Sequence, residues 1–354
     1  MSDSTSSSTG CRIRSARWPT PSPPSSSATS PPERCTPSRP AERDPRTVTV
    51  RLDIRYTTRF RYAGQVTESQ NELRACPTTD DHQWLVHYDV TTFPTSRVQS
   101  YLDHWGTRVD TFGVRLPHDR LEVVASATVE TGSRSQDPPS MPLAAYDQTR
   151  FRDAHLEFLQ TSGHVAWGDP VAAAAAECAV RAGDDAVDVI MAVHESVAGL
   201  EFRAGTTQVG TPVDDVLAAG AGVCQDFAHL AIAMYRHLGI PARYVSGYLF
   251  TVDDATGEDS AADEVEVETH AWIEAAIPGW GWLALDPTNA QEVGERHVTI
   301  GRGRDYDDVS PFRGVFTGRQ DHELDVAVTM RRLALEPLGD IPGGFMRQVA
   351  QQQQ

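Results

Sequence analysis

The chain has 354 residues, enough for one large domain or two ordinary ones at about 100–200 residues each. Apolar residues make up 40 % and charged residues 23 %, and no run approaches the ~18 apolar residues of a membrane span. Wholly disordered, fibrous and helical membrane-spanning classes are therefore excluded. Asp and Glu total 49 against 31 basic residues, a net charge of −18 that argues against a nucleic-acid or anionic-membrane partner. All the basic residues are Arg, so chemistry that needs a lysine is excluded as well.

Residues 1–46 hold 12 Ser and 9 Pro with almost no aliphatic side chains, and so cannot bury enough apolar surface to offset ordering entropy. They read as a disordered leader. A period-two pattern follows: Val48, Val50, Leu52, Ile54 and Tyr56, then Trp84, Val86, Tyr88 and Val90, then Leu121, Val123, Ala125, Ala127 and Val129. Half-buried strands with no helical pattern between them predict an antiparallel β-sandwich over 47–135.

From about 140 the spacing turns helical. Val187, Ile190, Met191, His194 and Val197 form one helix face. Thr211, Pro212 and Asp214 read as the N-cap, first position and first turn of another helix. A third helix begins near Cys224 and ends at Gly239 and Pro241. Strands are expected at about 242–250, 268–277 and 282–286, and the alternating run Leu324, Val326, Val328 and Met330 closes an α+β core over 136–335. Residues 336–354 read as a flexible tail.

Cysteines stand at 11, 35, 76, 178 and 224, an odd number, widely spaced and without a CxxC pair. Neither a disulfide framework nor a structural zinc site is indicated, and a reducing cytoplasmic location is expected. The acidic run 253–268 lacks EF-hand spacing and reads as a solvated loop rather than a calcium site, so no metal or cofactor is expected.

Cys224 follows Gly220-Ala221-Gly222-Val223 at the start of a helix, where free amides and the positive dipole end favour a thiolate. Asp226 would oppose this unless it turns away to cap the helix. His270 and Asp286 lie on two strands joined around Pro278-Gly279, and a hairpin centred on Pro278 sets them directly opposite each other. Together they suggest a nucleophile, an acid/base and an orienting carboxylate. The backbone amide of Cys224 would hold part of the oxyanion, with Gln208 or a Trp indole as candidate second donors.

The stretch Gly222-Val223-Cys224-Gln225-Asp226-Phe227-Ala228-His229-Leu230, continuing into Leu238-Gly239-Ile240-Pro241-Ala242-Arg243-Tyr244, closely resembles the transglutaminase-like superfamily. So do Thr269-His270-Ala271-Trp272-Ile273-Glu274 and Gly281-Trp282-Leu283-Ala284-Leu285-Asp286-Pro287-Thr288. Gly303-Arg304-Asp305-Tyr306 with Arg313-Gly314 is similar to a further block of the bacterial members, and 47–135 to their β-rich N-terminal module. The resemblance implies a papain-like α+β core with Cys224, His270 and Asp286 as catalytic residues. It also implies acyl transfer or hydrolysis at amide bonds of a peptide or protein substrate, as in a cysteine protease, an amidase or a transglutaminase. The competing expectation is a non-catalytic scaffold whose sandwich recruits a partner.

Overall fold

The computed structural model describes residues 48–133, 137–251, 264–318 and 321–334. These all fall in one compact unit, 44–354. The expected leader 1–46, the tail 336–354 and the greater part of the acidic run, 252–263, lie outside the described residues.

In chain order the first strands are β1 (Val48–Val66), β2 (Glu68–Leu73), β3 (Gln83–Phe93), β4 (Gln99–Leu102), β5 (Arg108–Val114) and β6 (His118–Gly132). There follow α1 (Thr149–Ala154), α2 (Asp169–Ala182), α3 (Ala186–Ala198), β7 (Glu201–Phe202), α4 (Val213–Ala219), β8 (Ala221–Gly222) and α5 (Cys224–His237). Then come β9 (Ala242–Leu249), β10 (Glu264–Val267), β11 (Thr269–Ile277), β12 (Gly281–Asp286), β13 (Gln291–Glu292) and β14 (His297–Gly303). The described chain closes with α6 (Tyr306–Val309), β15 (Phe312–Thr317) and β16 (His322–Leu333).

Two antiparallel sheets, β10-β16-β1-β6-β3 and β15-β2-β5-β4, share one core that includes Leu52, Ile54, Tyr56, Leu73, Phe112, Val123 and Val129. Alternation on β1 and β6 puts every second residue inside, and Val50, Leu52, Ile54 and Tyr56 with Leu121, Val123, Ala125, Ala127 and Val129 are all buried, as a pleated strand requires. On β3 the expected alternation fails. A bulge between Leu85 and His87 leaves Val86 out of register and 50 % exposed, and turns Leu85 toward the core.

The sandwich does not end at residue 135. β16 pairs along β1, with Ile54 opposite Met330 and Tyr56 opposite Val328, and β15 pairs along β2. The run Leu324–Met330 therefore belongs to the N-terminal sheets rather than to the core assigned over 136–335. Residues 264–267, read as solvated loop, form β10 on the edge of β16. Alternation shows which side chains a strand buries; it carries no information about its neighbours in the sheet.

The second layer system is the sheet β13-β12-β11-β9-β14 packed against helices. Its centre is α5, on which every residue from Asp226 to Arg236 is buried. Such a helix has no solvent face: Phe227, Leu230 and Met234 meet Ile273, Ala275 and Leu285 of the sheet in one cluster. α3 starts on Asp185, whose carboxylate accepts the amides of Val187 and Asp188. α4 begins one residue later than the Thr-Pro reading implies, and the Thr211 hydroxyl bonds Gln208 instead of capping it. Asp214 accepts the amides of Gly168 and Val171, so it caps α2 from a distance.

The hairpin β11–β12 turns through Pro278, Gly279 and Trp280, with Gly279 at φ +75° and Ile277 opposite Gly281. That centre lies one residue beyond Pro278, so the partner of each β11 residue moves by two. Ile273 faces Leu285, and the register continued by one residue sets Asp286 level with Trp272, diagonal to His270. The expected direct opposition is thus corrected. A shift of two preserves the pleat, so both side chains keep the same face of the sheet.

Candidate active site

Cys224 is the first residue of α5 and is half-buried. As in any helix start, its backbone amide has no partner within the helix. Asp226 turns back as expected. Its carboxylate accepts the Val223 amide at 2.9 Å and the Thr207 hydroxyl at 2.6 Å, which ties the preceding loop to the helix start. The buried Tyr244 of β9 lies in the electrostatic field of Cys224, its hydroxyl pushed well above the usual range, first by burial.

His270 sits near the start of β11, 11 % exposed at its side chain. Its Nε2 lies 2.8 Å from Oδ2 of Asp286, the last residue of β12, and Cys224 is close enough to act on the ring and favour its protonated form. With Nε2 facing the carboxylate, Nδ1 is the nitrogen left for the sulfur. Burial alone would depress the imidazole, but hydrogen bonds to Asp286 and Cys224 outweigh it and push His270 up to about 9.

Asp286 is wholly buried. Oδ1 accepts the amides of Thr288 at 3.0 Å and Asn289 at 3.3 Å, the Asx turn that Asp-Pro-Thr-Asn favours. Oδ2 accepts from His270, from Asn289 Nδ2 at 2.7 Å and from His297 Nε2 at 3.2 Å. Burial would raise this carboxyl. Hydrogen bonds from His270 and His297 reverse that and hold it well below the ordinary carboxylate range.

Asn289 and His297 were not anticipated. The Asx turn is a local signal that could have indicated Asn289. His297 comes from β14, two strands away from β11 in the sheet order, and nothing in the sequence announces that approach. Gly247 of β9 makes room for it. A Cβ there would stand 2.4 Å from the Trp272 ring and 2.1 Å from the Val298 carbonyl. Trp272 instead lies across the glycine and meets His297 edge-on at 5.3 Å.

His270, Asp286 and His297 bring three potential metal-ligand atoms within 4.8 Å of one another. The proton inventory favours hydrogen bonds over a cation. Gly294 N–H donates to His297 Nδ1 at 3.1 Å, which puts the ring proton on Nε2, facing Asp286. Of the candidate second oxyanion donors, Gln208 stands exposed in the loop before α4, and Trp272 is sealed from solvent.

The profile of the transglutaminase-like superfamily matches residues 172–287, and that of the bacterial transglutaminase-like N-terminal region matches 52–130. A protein of Mycobacterium leprae is 37 % identical over 284 residues, covering 80 % of this chain and 99 % of the relative. The chain belongs to the transglutaminase-like superfamily. Among other similar proteins, a protein-glutamine gamma-glutamyltransferase of Pseudomonas aeruginosa is 37 % identical over 81 residues, 22 % of this chain and 11 % of that one. A solved structure from Cytophaga hutchinsonii, described as a candidate cysteine protease, superposes with a TM-score of 0.63 at 20 % identity. It covers 81 % of this chain and 92 % of its own, which places the transglutaminase-like chain in the same α+β fold with a β-rich N-terminal part.

Proposed function

We propose that this transglutaminase-like protein acts on carboxamide bonds of peptides or proteins through a thioester on Cys224. The observation that carries the reading is one imidazole, His270, hydrogen-bonded to a buried carboxylate and raised in basicity by that carboxylate and by a cysteine that opens a buried helix. Cys224 Sγ attacks the carbonyl carbon, and the oxyanion that forms is met by the unpaired amide at the start of α5. As the C–N bond breaks, the His270 imidazolium gives its proton to the departing amine. Water or a second amine then attacks the thioester, neutral His270 accepts its proton, and the sulfur is released. Asp286 keeps the imidazole in one orientation and balances its charge.

Water as acceptor makes the protein a protease or amidase, and an amine makes it an acyltransferase. A reducing cytoplasmic setting is part of the same proposal, since Cys76, Cys178 and Cys224 are all free thiols. Among the described residues no helix is long and apolar enough to cross a membrane.

Incubating the protein with a glutamine-containing peptide, with and without a primary amine, tests the reaction by mass spectrometry. The expected result is a Cys224-dependent mass change: loss of ammonia with gain of water, peptide cleavage, or incorporation of the amine. Peptide masses that stay unchanged across a varied peptide set, with Cys224 no more reactive than Cys76, would favour the scaffold reading.

A further inference from the structure

The carboxylate oxygen that faces His270 also faces a second imidazole, and the protons on the two rings can be assigned. His297 Nδ1 accepts the Gly294 amide, so the proton of the neutral ring is on Nε2, 3.2 Å from Asp286 Oδ2. The ring is 3 % exposed at its side chain and is held edge-on by Trp272. His270 Nε2 meets the same oxygen at 2.8 Å. One oxygen of a wholly buried carboxylate therefore divides its negative charge between the imidazole that faces the thiol and one that does not.

We infer that His297 is a positioning residue of this site, a neutral imidazole of fixed tautomer that draws off part of the Asp286 charge and so limits how basic His270 becomes. The inference rests on the thioester reading above, in which His270 must give up a proton as well as hold one. A His270 too strongly paired with Asp286 would stay protonated and could not accept the proton of the incoming water or amine.

The sign of the effect follows from the donor count. Without His297, Asp286 keeps the Thr288 and Asn289 amides, Asn289 Nδ2 and His270, so the carboxylate stays in place. What changes is the charge left for His270, which rises. The other ionisable groups around the cluster are Cys224 of α5 and, more remotely, Tyr244 of β9 and His194 of α3. Burial keeps His194 neutral near physiological pH and Tyr244 protonated, so neither titrates across the window in question.

The test is the pH dependence of Cys224 alkylation by iodoacetate, whose negative charge makes its rate sensitive to the imidazolium. The rate is normalised to titrated active sites. In His297→Leu the alkaline limb is expected to move up by about half to one unit, and turnover of a glutamine peptide at neutral pH to fall up to about tenfold. His297→Gln, which retains an amide N–H donor, is expected to bring both back toward wild type. A merely structural role would lower the number of titratable sites in both variants and leave the limb in place. An unmoved or lowered limb in His297→Leu, or a Gln variant that shifts as far as the Leu variant, would overturn the inference. Wild-type alkylation that ignores His270 would instead sink the thioester reading itself, so the two failures are separable.

Discussion

Cys224→Ala is expected to abolish acyl transfer or hydrolysis, with a loss of about 10^4-fold or more, because no other group in the site can form the covalent intermediate. The fold should survive. Cys224 is only half-buried, and alanine at the first position keeps the helix start and the Asp226–Val223 bond. The two other thiols among the described residues supply the control. Cys76 is buried, its thiol pushed up to about 11 chiefly by burial, and Cys178 packs in the helical core. Alanine at Cys76 or Cys178 should cost stability, as any emptied core position does, while leaving turnover per folded molecule near wild type. Steady-state rates on a glutamine peptide, paired with circular dichroism, check all three.

Asp286→Asn should be the next largest loss, about 10^3- to 10^4-fold in kcat, the magnitude that the corresponding change produces in hydrolase triads. The carboxylate accepts five hydrogen bonds, and every group that points at it is a donor. An amide has one acceptor oxygen and brings two N–H of its own. If its oxygen stays with the Asx turn, its nitrogen meets the N–H groups of His270, His297 and Asn289, and the His270 ring must switch tautomer or turn away. With the charge gone, His270 should fall from about 9 toward or below its ordinary 6.5. The alkaline limb of activity therefore moves down in this variant, opposite to the direction expected for His297→Leu. Asp286→Ala is less informative, because it strands buried donors and costs stability at the same time.

Much of this was legible in the sequence, for identifiable reasons. Gly-Val-Cys at a helix start, the α5 pattern and the two strands that carry His270 and Asp286 are local signals, and each element stands within a residue or two of its expected place. The residues that share a face of β11 and β12 follow from parity alone, which is why a hairpin register in error by two still put His270 and Asp286 together. What could not be read were relations between distant strands. The pairing of β16 with β1, of β10 with β16 and of β15 with β2 depends on the tertiary path. His297 enters the site for the same reason, through β14 and the space above Gly247. The bulge at Val86 reverses a face within a single strand, and a two-residue period gives no warning of it.

The account depends on His270 acting as an imidazolium beside the Cys224 sulfur. Alkylation of Cys224 by iodoacetate, followed against pH in the wild type and in His270→Ala, measures that most directly. Below about 9 the protonated ring should attract the anionic reagent and give fast labelling; as pH rises through that value and the ring loses its charge, the rate should fall. His270→Ala should lose the fast phase and rise monotonically with pH like an ordinary thiol. A wild type whose labelling already climbs steadily through that range, indistinguishable from His270→Ala, would contradict the account.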